Sequence, residues 1–494
     1  MKYHMPLLLG IVSLYTCIRL YMILTYAHVS EHAYFLIRDI THIQNHALPI
    51  IMDPLMHHYV ANIPFVSYIV FSLTPFFSAQ QSVLIAMTIG VSSIPFFIYS
   101  IALQFSSSRT IALLSGLASI AVPFFTQHMY NYNPLFVLLP FLLLLHLLTI
   151  RMIKKQQLSF FSLLFLLLCS ILHPIFLLWT ASVAIYFLLC YIEKKKIHPF
   201  ESQFYFTHSI IVLSIILLFF IPYMRTTGIA LLWQNIPLSL RLEAFSDFNL
   251  FFLIVSLGIF PFIGACYAIY HEITHQKRKE VLYAISNTAV ALICLWLTLI
   301  PTSIGLLYLS ISLLLLFPVC LSYLFWTVQH SKLYKFSTVI LSVGIILFII
   351  SSVIPTSLFL IQQPSTKLVN YQYIGTFIDT HTPSDATLII PPSLSQVVLH
   401  YANRPVILDN IYSINIDATN QLEKIQTIYT TQFTNAIIEY LIPYYPSYII
   451  HDTQDTRFFS TTPYFISDNA CFEPVYTQQS ITVYQVTCRL TTHD

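Results

Sequence analysis

Long apolar runs separated by short polar connections fill the first 360 residues of the chain. Runs long enough for a helix to cross a hydrocarbon core of about 30 Å occur at 5–25, 82–104, 110–127, 133–150, 206–222, 248–270, 282–300, 304–327 and 336–360. Residues 158–192 form a run too long for one crossing. His173-Pro174, in "ILHPIF", breaks it, because proline cannot continue the intrahelical hydrogen-bond ladder, so the pattern predicts a hairpin of two short helices. Residues 62–77 are apolar too but carry Pro64 and Pro75. Hydropathy leaves that segment open.

Charge decides it. Basic clusters fall in the short connections: Arg109, "RMIKK" at 151–155, "EKKK" at 193–196, "HQKRK" at 275–279 and "HSKLYK" at 330–335. Such residues are retained on the cytoplasmic side of a membrane, so these loops and Lys2 are expected to face the cytoplasm together. A full crossing by 62–77 would invert every later basic loop, whereas a re-entrant or interfacial helix keeps them on one side. The second choice gives about eleven spans, with a cytoplasmic N-terminus and with 26–81, the loop 223–247 and everything after 361 extracytoplasmic.

From about residue 365 the pattern changes to shorter apolar runs with ordinary polarity. "YQYIGTFIDTHTPSDATLIIPP" reads as helix, turn, strand; "LSQVVLHYANRPVILDN" as helix then strand; "TNQLEKIQTIYTTQFTNAIIEYLIPYYPSYIIHD" as helices then strand. The last piece, "CFEPVYTQQSITVYQVTC", reads as two alternating strands turning at Gln479-Ser480. Cys471 and Cys488 flank that turn symmetrically in a location that permits disulfides, so a bridge is expected unless the register slips by one residue. The other six cysteines sit in apolar runs and read as small core residues. The fold expectation is therefore a polytopic α-helical membrane protein, 1–360, with a large first outer loop, 26–81, and a small extracytoplasmic α/β domain, 361–494.

Composition agrees with lipid as the main solvent: of 494 residues 57% are hydrophobic and only 9% charged, and the mean hydropathy is +0.74. A net charge of +2 without a basic block gives no reason to expect a nucleic-acid partner. Glycine is scarce, and neither GxGxxG nor GxxxxGK[ST] occurs, which argues against a phosphate cradle for a soluble nucleotide. The first segment lacks a small-residue cleavage site and reads as a retained span.

The most polar stretch of the first half, "VSEHAYFLIRDITHIQNHALPIIMDPLMHHY" at 29–59, holds the candidate chemistry. A carboxylate at the outer membrane face can act as general base toward an acceptor, or hold a divalent metal against a departing phosphate. Glu31 is that residue, with Tyr34 and Arg38 at helical spacing on a similar face. The bland alternative is a pair of solvated loop charges. Histidines 28, 32, 42, 46, 57 and 58, with Glu31 and Asp53, offer ligands for a divalent metal such as zinc, manganese or magnesium, although HExxH is missing and scattered polar residues explain them equally well. Arg225, ending "IIVLSIILLFFIPYMR", and Arg241, in "SLRLEAFSD", are candidates to hold a lipid phosphate, or interface anchors that snorkel.

The pattern "SEHAYFLIRDITHI....LPIIMDPL", followed by the proline-containing run at 62–77, resembles the first external loop of membrane-embedded glycosyltransferases of the GT-C fold, nearest to relatives of dolichyl-phosphate-mannose protein mannosyltransferases. The resemblance continues through "SSSRTIALLSGLASIAVPFFTQHMYNYNPLFVLLPF" and the "LHP" hairpin, while "YANRPVILDN" is similar to a segment following the WWDYG motif of oligosaccharyltransferase catalytic subunits. It implies that Glu31 is the catalytic acid of the first loop, with His32 in the alternative register, and that Asp53 is a second acidic position. The chain departs from the pattern at Met56-His57-His58-Tyr59 and at "PPSLS" (391–395), which stands in place of WWDYG. The second outer loop, "TQHMYNYNP", lacks an acid and offers only His128 and Asn131.

The function expected is sugar transfer from a polyprenyl-phosphate-linked donor to a protein, glycan or lipid acceptor on the extracytoplasmic face. Glu31 and Asp53 would be catalytic, Arg38, Arg225 and Arg241 would contact the donor phosphate, and His32, His57, His58 and His128 would support the site or bind metal. Two alternatives are a catalytically silent relative serving as a binding or assembly subunit, and a transporter whose path is lined by Glu31 and Arg19. No repeat with matching broken helices is visible, which places the transporter last.

Overall fold

The computed structural model describes residues 4–26, 31–48, 65–125, 134–155, 175–227, 250–336, 365–409, 417–453, 463–468 and 470–488, with shorter pieces between them. In chain order the helices begin with α1 (His4–Tyr26), α2 (Glu31–His46), α3 (Phe65–Phe71), α4 (Ala79–Phe105), α5 (Arg109–Ile120), α6 (Leu139–Lys155), α7 (Phe176–Ile192) and α8 (Pro199–Thr227). They continue with α9 (Leu250–Leu257), α10 (Ile259–His271), α11 (Lys279–Trp296), α12 (Thr302–Gln329), α13 (Ser365–His381), α14 (Ser395–Ala402), α15 (Ala418–Thr430) and α16 (Thr434–Leu441). The chain divides into two compact units: Met1–Ala27, Ile63–Pro222 and Glu243–Gln363 form one, and His28–Asn62, Tyr223–Leu242 and Pro364–Asp494 the other.

The first unit is helical. Among the described residues four helices are long and apolar enough to cross a membrane, Ala79–Phe105, Leu135–Lys155, Lys279–Trp296 and Thr302–Gln329, and Met5–Tyr21, Arg109–Ile120 and Phe176–Ile192 are shorter apolar helices. The described residues thus carry four such helices, where the hydropathy pattern suggests about eleven spans. The run expected at 248–270 is two helices, because Gly258 takes a φ of 88° and ends α9 one residue before α10 begins. Within 62–77 the helix is α3, seven residues, or about 10 Å at 1.5 Å per residue, well short of a hydrocarbon core. His173 and Pro174, the expected hairpin corner, lie outside the described residues, and α7 begins just after them.

Local signals set the helix ends and the close contacts. Ser78 caps α4 in a reciprocal box: its hydroxyl accepts from the Gln81 amide at 3.3 Å and the Gln81 side chain accepts from the Ser78 amide at 3.2 Å. Ser108 caps α5 in the simpler way, through the Ile111 amide. Gly90 lets α4 meet the short 3-10 turn Pro134–Leu138 backbone to backbone, since a β-carbon there would fall 2.0 Å from the Phe136 carbonyl oxygen. Buried hydroxyls mostly bond back into their own helices, as Thr88 does to the Leu84 carbonyl and Ser115 to that of Ile111.

The basic loop "HQKRK" does more than mark a side of the membrane. Lys277, Arg278 and Lys279 each meet a different carboxylate: Glu193 after α7, Glu272 after α10 and Glu201 in α8. Glu272 is fully buried; it accepts from the Arg278 Nε at 2.6 Å, the Arg278 amide at 3.0 Å and the Tyr323 hydroxyl at 2.5 Å. Glu201 accepts from Tyr186 at 2.6 Å as well as from Lys279.

The second unit carries a four-stranded sheet in the order β3 (Thr387–Ile389), β4 (Ser447–Asp452), β6 (Ile481–Val486), β5 (Phe472–Gln478). β3 and β4 are parallel, with Thr387 opposite Ser447, while β6 runs antiparallel to both its neighbours. Val406 bridges Leu388 in parallel on the outer side of β3. β4 is buried along its whole length, as a central strand must be. Its core joins Ile389, Ile449, Phe465 and Phe472 to Leu422 and Ile425 of α15 and Ile437 of α16. The β5–β6 turn falls at Gln479-Ser480, where Gln479 takes a positive φ of 53°. A bulge between Pro474 and Tyr476 shifts the register by one, so that Phe472 faces Val486 and Cys471 accepts from the Thr487 amide. Cys471 and Cys488 are nevertheless bonded, their α-carbons 4.8 Å apart, because the slip leaves them diagonal neighbours.

Candidate active site

Helix α2 has 16 residues and opens on Glu31. Glu31, Tyr34 and Arg38 fall at i, i+3 and i+7, one face of the helix. That face is the one that meets the sheet domain of the second unit. Tyr34 is 5% exposed, and its ring lies 5.7 Å from Tyr401 and 5.3 Å from His400, both in α14. The Tyr34 and Tyr401 hydroxyls stand 3.4 Å apart. Burial, with Tyr401 as a second cause, raises the Tyr34 phenol well above its ordinary range, so it stays protonated. Burial, helped by the Arg38 charge, lowers His400 to about 4, so the imidazole is neutral at physiological pH.

One turn further on, Arg38 Nη1 donates to Gln396 Oε1 at 3.0 Å, and Gln396 Nε2 donates to Asp409 Oδ2 at 2.6 Å. Gln396 is fully buried and Asp409 is 2% exposed. A neutral amide thus joins a guanidinium on the first loop to a carboxylate beyond α14. Asp39, also fully buried, acts differently, since its Oδ1 accepts from the Ile50 amide at 2.6 Å. This bond folds the chain back after α2, whose last residue His46 is followed by Ala47 at the left-handed φ of 60° that closes many helices. The next polar piece forms two short antiparallel strands, β1 (Met52–Asp53) and β2 (His58–Tyr59), and their register sets Asp53 opposite His58. Directly opposed residues in such a pair hold their β-carbons about 5 Å apart.

The backbone therefore places Glu31 and His32 at the start of α2, Asp53 and His58 across one strand pair, and Arg225 near the end of α8. The side chains of those five residues, and His57, His128 and Arg241 entirely, lie outside the described residues. Asn131 does too. Arg38, expected as a phosphate contact, is bonded to Gln396. His42 and His46 stack on each other at 4.2 Å with His46 Nδ1 3.3 Å from the His42 carbonyl, an arrangement that packs the rings together. No group of three histidine, cysteine or acidic side chains close enough to hold a metal is found among the described residues. Asp39, a described carboxylate of α2, is engaged by the Ile50 amide.

Sequence reasoning misses Gln396, His400, Tyr401 and Asp409 as partners of the first loop. Their signal is present in "SQVVLHYANRPVILDN": a glutamine and a histidine sit inside an apolar helix pattern, where polar side chains need partners. Arg404 in the same stretch belongs to the fold, since it donates to the Asp379 carboxylate and to the Asp379 and Thr382 carbonyls.

No protein-family model matches the chain. No curated protein matches its sequence either. Solved structures do. ArnT from Cupriavidus metallidurans bound to undecaprenyl phosphate is similar over 97% of this chain and 97% of that one, with a TM-score of 0.62 at 9% identity. The archaeal oligosaccharyltransferase AglB from Archaeoglobus fulgidus, in complex with an inhibitory peptide and a dolichol-phosphate, matches 92% of this chain and 70% of that one, with a TM-score of 0.60 at 12% identity. The chain has a GT-C-like fold. A further structure of the Archaeoglobus protein, in complex with zinc and sulfate, matches over 85% of this chain and 63% of that one, with a TM-score of 0.54 at 12% identity. Two of these neighbours hold a polyprenyl phosphate, and at such identities the likeness concerns the fold.

Proposed function

We propose that the chain is an integral membrane glycosyltransferase that moves a sugar from a polyprenyl-phosphate-linked donor to a protein, glycan or lipid acceptor on the extracytoplasmic face. The observation that carries this reading is the end-to-end likeness to a structure holding undecaprenyl phosphate. The candidate acid Glu31 fits it, since this residue opens a first-loop helix that is bonded to α14 through Arg38.

In the reaction the bond between the anomeric carbon and the phosphate oxygen breaks, and its electron pair leaves on the polyprenyl phosphate. The acceptor heteroatom bonds to the anomeric carbon and gives its proton to the Glu31 carboxylate. Arg225 and Arg241 balance the charge on the departing phosphate, with Arg38 contributing its field from beside Gln396. A divalent ion bound at Glu31 and Asp53, with His32, His57, His58 or His128 in support, would supply Lewis-acid stabilisation of that phosphate. In this reading 1–360 form the transmembrane domain with a cytoplasmic N-terminus, and its first loop 26–81 and the domain 361–494 lie on the extracytoplasmic side.

The test is transfer of radiolabelled sugars from a panel of undecaprenyl-phosphate-linked monosaccharides by the full chain in nanodiscs. Glu31→Gln keeps the shape and removes the base, so activity should fall by about 10²-fold or more, with His32→Ala milder. The reverse ranking moves the catalytic role to His32. Full activity in both variants sinks the reading.

A further inference from the structure

We infer that Gln396, held by Asp409, is a positioning residue that fixes the Glu31 face of helix α2; the inference rests on the transfer reading above only for its consequence on rate. A single helix of 16 residues has to be held at more than its two ends if its first residue is to keep an orientation. Glu31 shares its face with Tyr34 and Arg38, and both of these anchors reach α14. The Tyr34 anchor is two phenols 3.4 Å apart in a packed aromatic group, which fixes position loosely. The Arg38 anchor is directional. Gln396 accepts from the guanidinium at 3.0 Å and donates to Asp409 at 2.6 Å, so its amide can sit only one way round.

The burial of Gln396 gives that choice its force. In a fully buried site a reversed amide would set its NH₂ against the guanidinium and its oxygen against the carboxylate. Asp409, which follows the segment bridged to β3, is thereby the origin of the alignment: sheet, then carboxylate, then amide, then guanidinium, then helix. Nothing in this chain of contacts requires Gln396 to touch sugar or phosphate. Its effect on transfer would run through the angle of α2.

The polarity of the relay makes it testable by inversion. Gln396→Glu opposes two carboxylates, while Gln396→Glu with Asp409→Asn restores a donor facing an acceptor, and leaves an acceptor for Arg38. Hydrogen exchange of the full chain in nanodiscs should show the α2 amides of 33–46 exchanging about tenfold or more faster in Gln396→Met and Gln396→Glu, as expected when a hydrogen bond to a charged group is lost. Protection of β4 and β6 should be unchanged, and the inverted pair should restore α2. In the transfer assay the single variants should lose turnover with the KM for the undecaprenyl-phosphate donor little altered.

Unchanged α2 exchange in both single variants overturns the inference, whatever the activity. So does a loosened α2 with undiminished turnover while Glu31→Gln is dead. Should Glu31→Gln instead prove fully active while α2 still loosens and is rescued, the anchor is supported and the transfer reading alone fails. If Gln396→Met unfolds the sheet domain, the inverted pair decides: restored α2 protection supports the relay, and failure to restore it overturns it.

Discussion

The two units bury polar groups with different emphasis. In the helical unit the outer surface is apolar, with Leu14, Tyr191, Leu218 and Trp296 all more than 60% exposed, and many buried serine and threonine hydroxyls bond back within their own helices. In the sheet unit the buried polar groups reach across the chain: Tyr429 donates to the Ile450 carbonyl at 2.6 Å, Tyr371 to Asp452 at 3.1 Å, and Arg38, Gln396 and Asp409 link segments more than 300 residues apart. The difference follows from the solvent. A helix entering lipid must satisfy its polar groups locally before it meets any neighbour, whereas a domain collapsing in water can leave them hydrated until distant partners arrive. Among the described residues the long-range polar contacts of the helical unit lie both near helix ends, as at Glu272 and Glu201, and in a buried interior group around Tyr283 and Tyr308.

The strongest way to break this contrast is at Glu272. Glu272→Leu removes the partner of Arg278, whose side chain is 28% exposed, and of the Tyr323 hydroxyl. Stranding one half of a buried ion pair costs 3–5 kcal/mol, and partial exposure of the arginine reduces this to about 3 kcal/mol. Thermal unfolding in nanodiscs should therefore fall by several degrees. A shift within error would mean that the helical unit tolerates an orphaned charge at its margin, and that its long-range pairs are incidental.

The sheet unit should be acid-sensitive. His400 is depressed to about 4, against about 6.5 in an unfolded chain, so the unfolded state binds more protons between those values. The stability due to neutral His400 is complete above pH 6.5 and is lost as pH falls toward 4. His451, lowered by burial against the pull of Asp452, adds in the same direction. The loss attributable to His400 should be about 2 kcal/mol once its partial exposure is allowed for. His400→Phe keeps the ring beside Tyr34 and Tyr401 and should flatten the slope of sheet-unit stability, followed by pulse proteolysis between pH 7 and 4.5. An unchanged slope would remove His400 as its source.

Legibility in the sequence follows the range of the interaction. The shift to an α/β pattern near 365, the turn at Gln479-Ser480 and the pairing of Cys471 with Cys488 all rest on contacts close along the chain, and pattern reading reaches them. The bulge at Pro474 moves the register by one without breaking the bridge, which no alternation of side chains announces. The break at Gly258 is hidden because a lone glycine in an apolar run reads as tolerated. In the site, the helical face of Tyr34 and Arg38 follows from spacing, but its partners do not. Gln396 and Asp409 are far from Arg38 in sequence, and although a glutamine inside an apolar helix pattern signals a need for partners, only the fold shows which they are. The basic loop at 277–279 is legible in its sign alone, and its three separate carboxylate partners need the structure.

The mildest test probes whether the helical unit's buried interior network around Tyr308 behaves like its isolated hydroxyls. Tyr308 donates to Asn287 Oδ1 at 2.6 Å and stands 2.9 Å from Ser182 Oγ, while His146 Nδ1 meets Tyr283 at 2.7 Å nearby. Tyr308→Phe keeps the ring and removes the hydroxyl. Ser182 has a fallback, since it still donates to the Leu178 carbonyl at 2.8 Å, while Asn287 keeps its Nδ2 bond to the Tyr283 carbonyl at 2.7 Å and loses the donor to its Oδ1. Hydrogen bonds between membrane helices are worth about 0.6 kcal/mol on average and under about 2 at most, so the loss should be about 1 kcal/mol. Unfolding in detergent should shift by a degree or two. A loss of about 3 kcal/mol or more would show that the network holds α7, α11 and α12 cooperatively, in the manner of the relay to Arg38, and the division between the two units would then be one of location and no longer of kind.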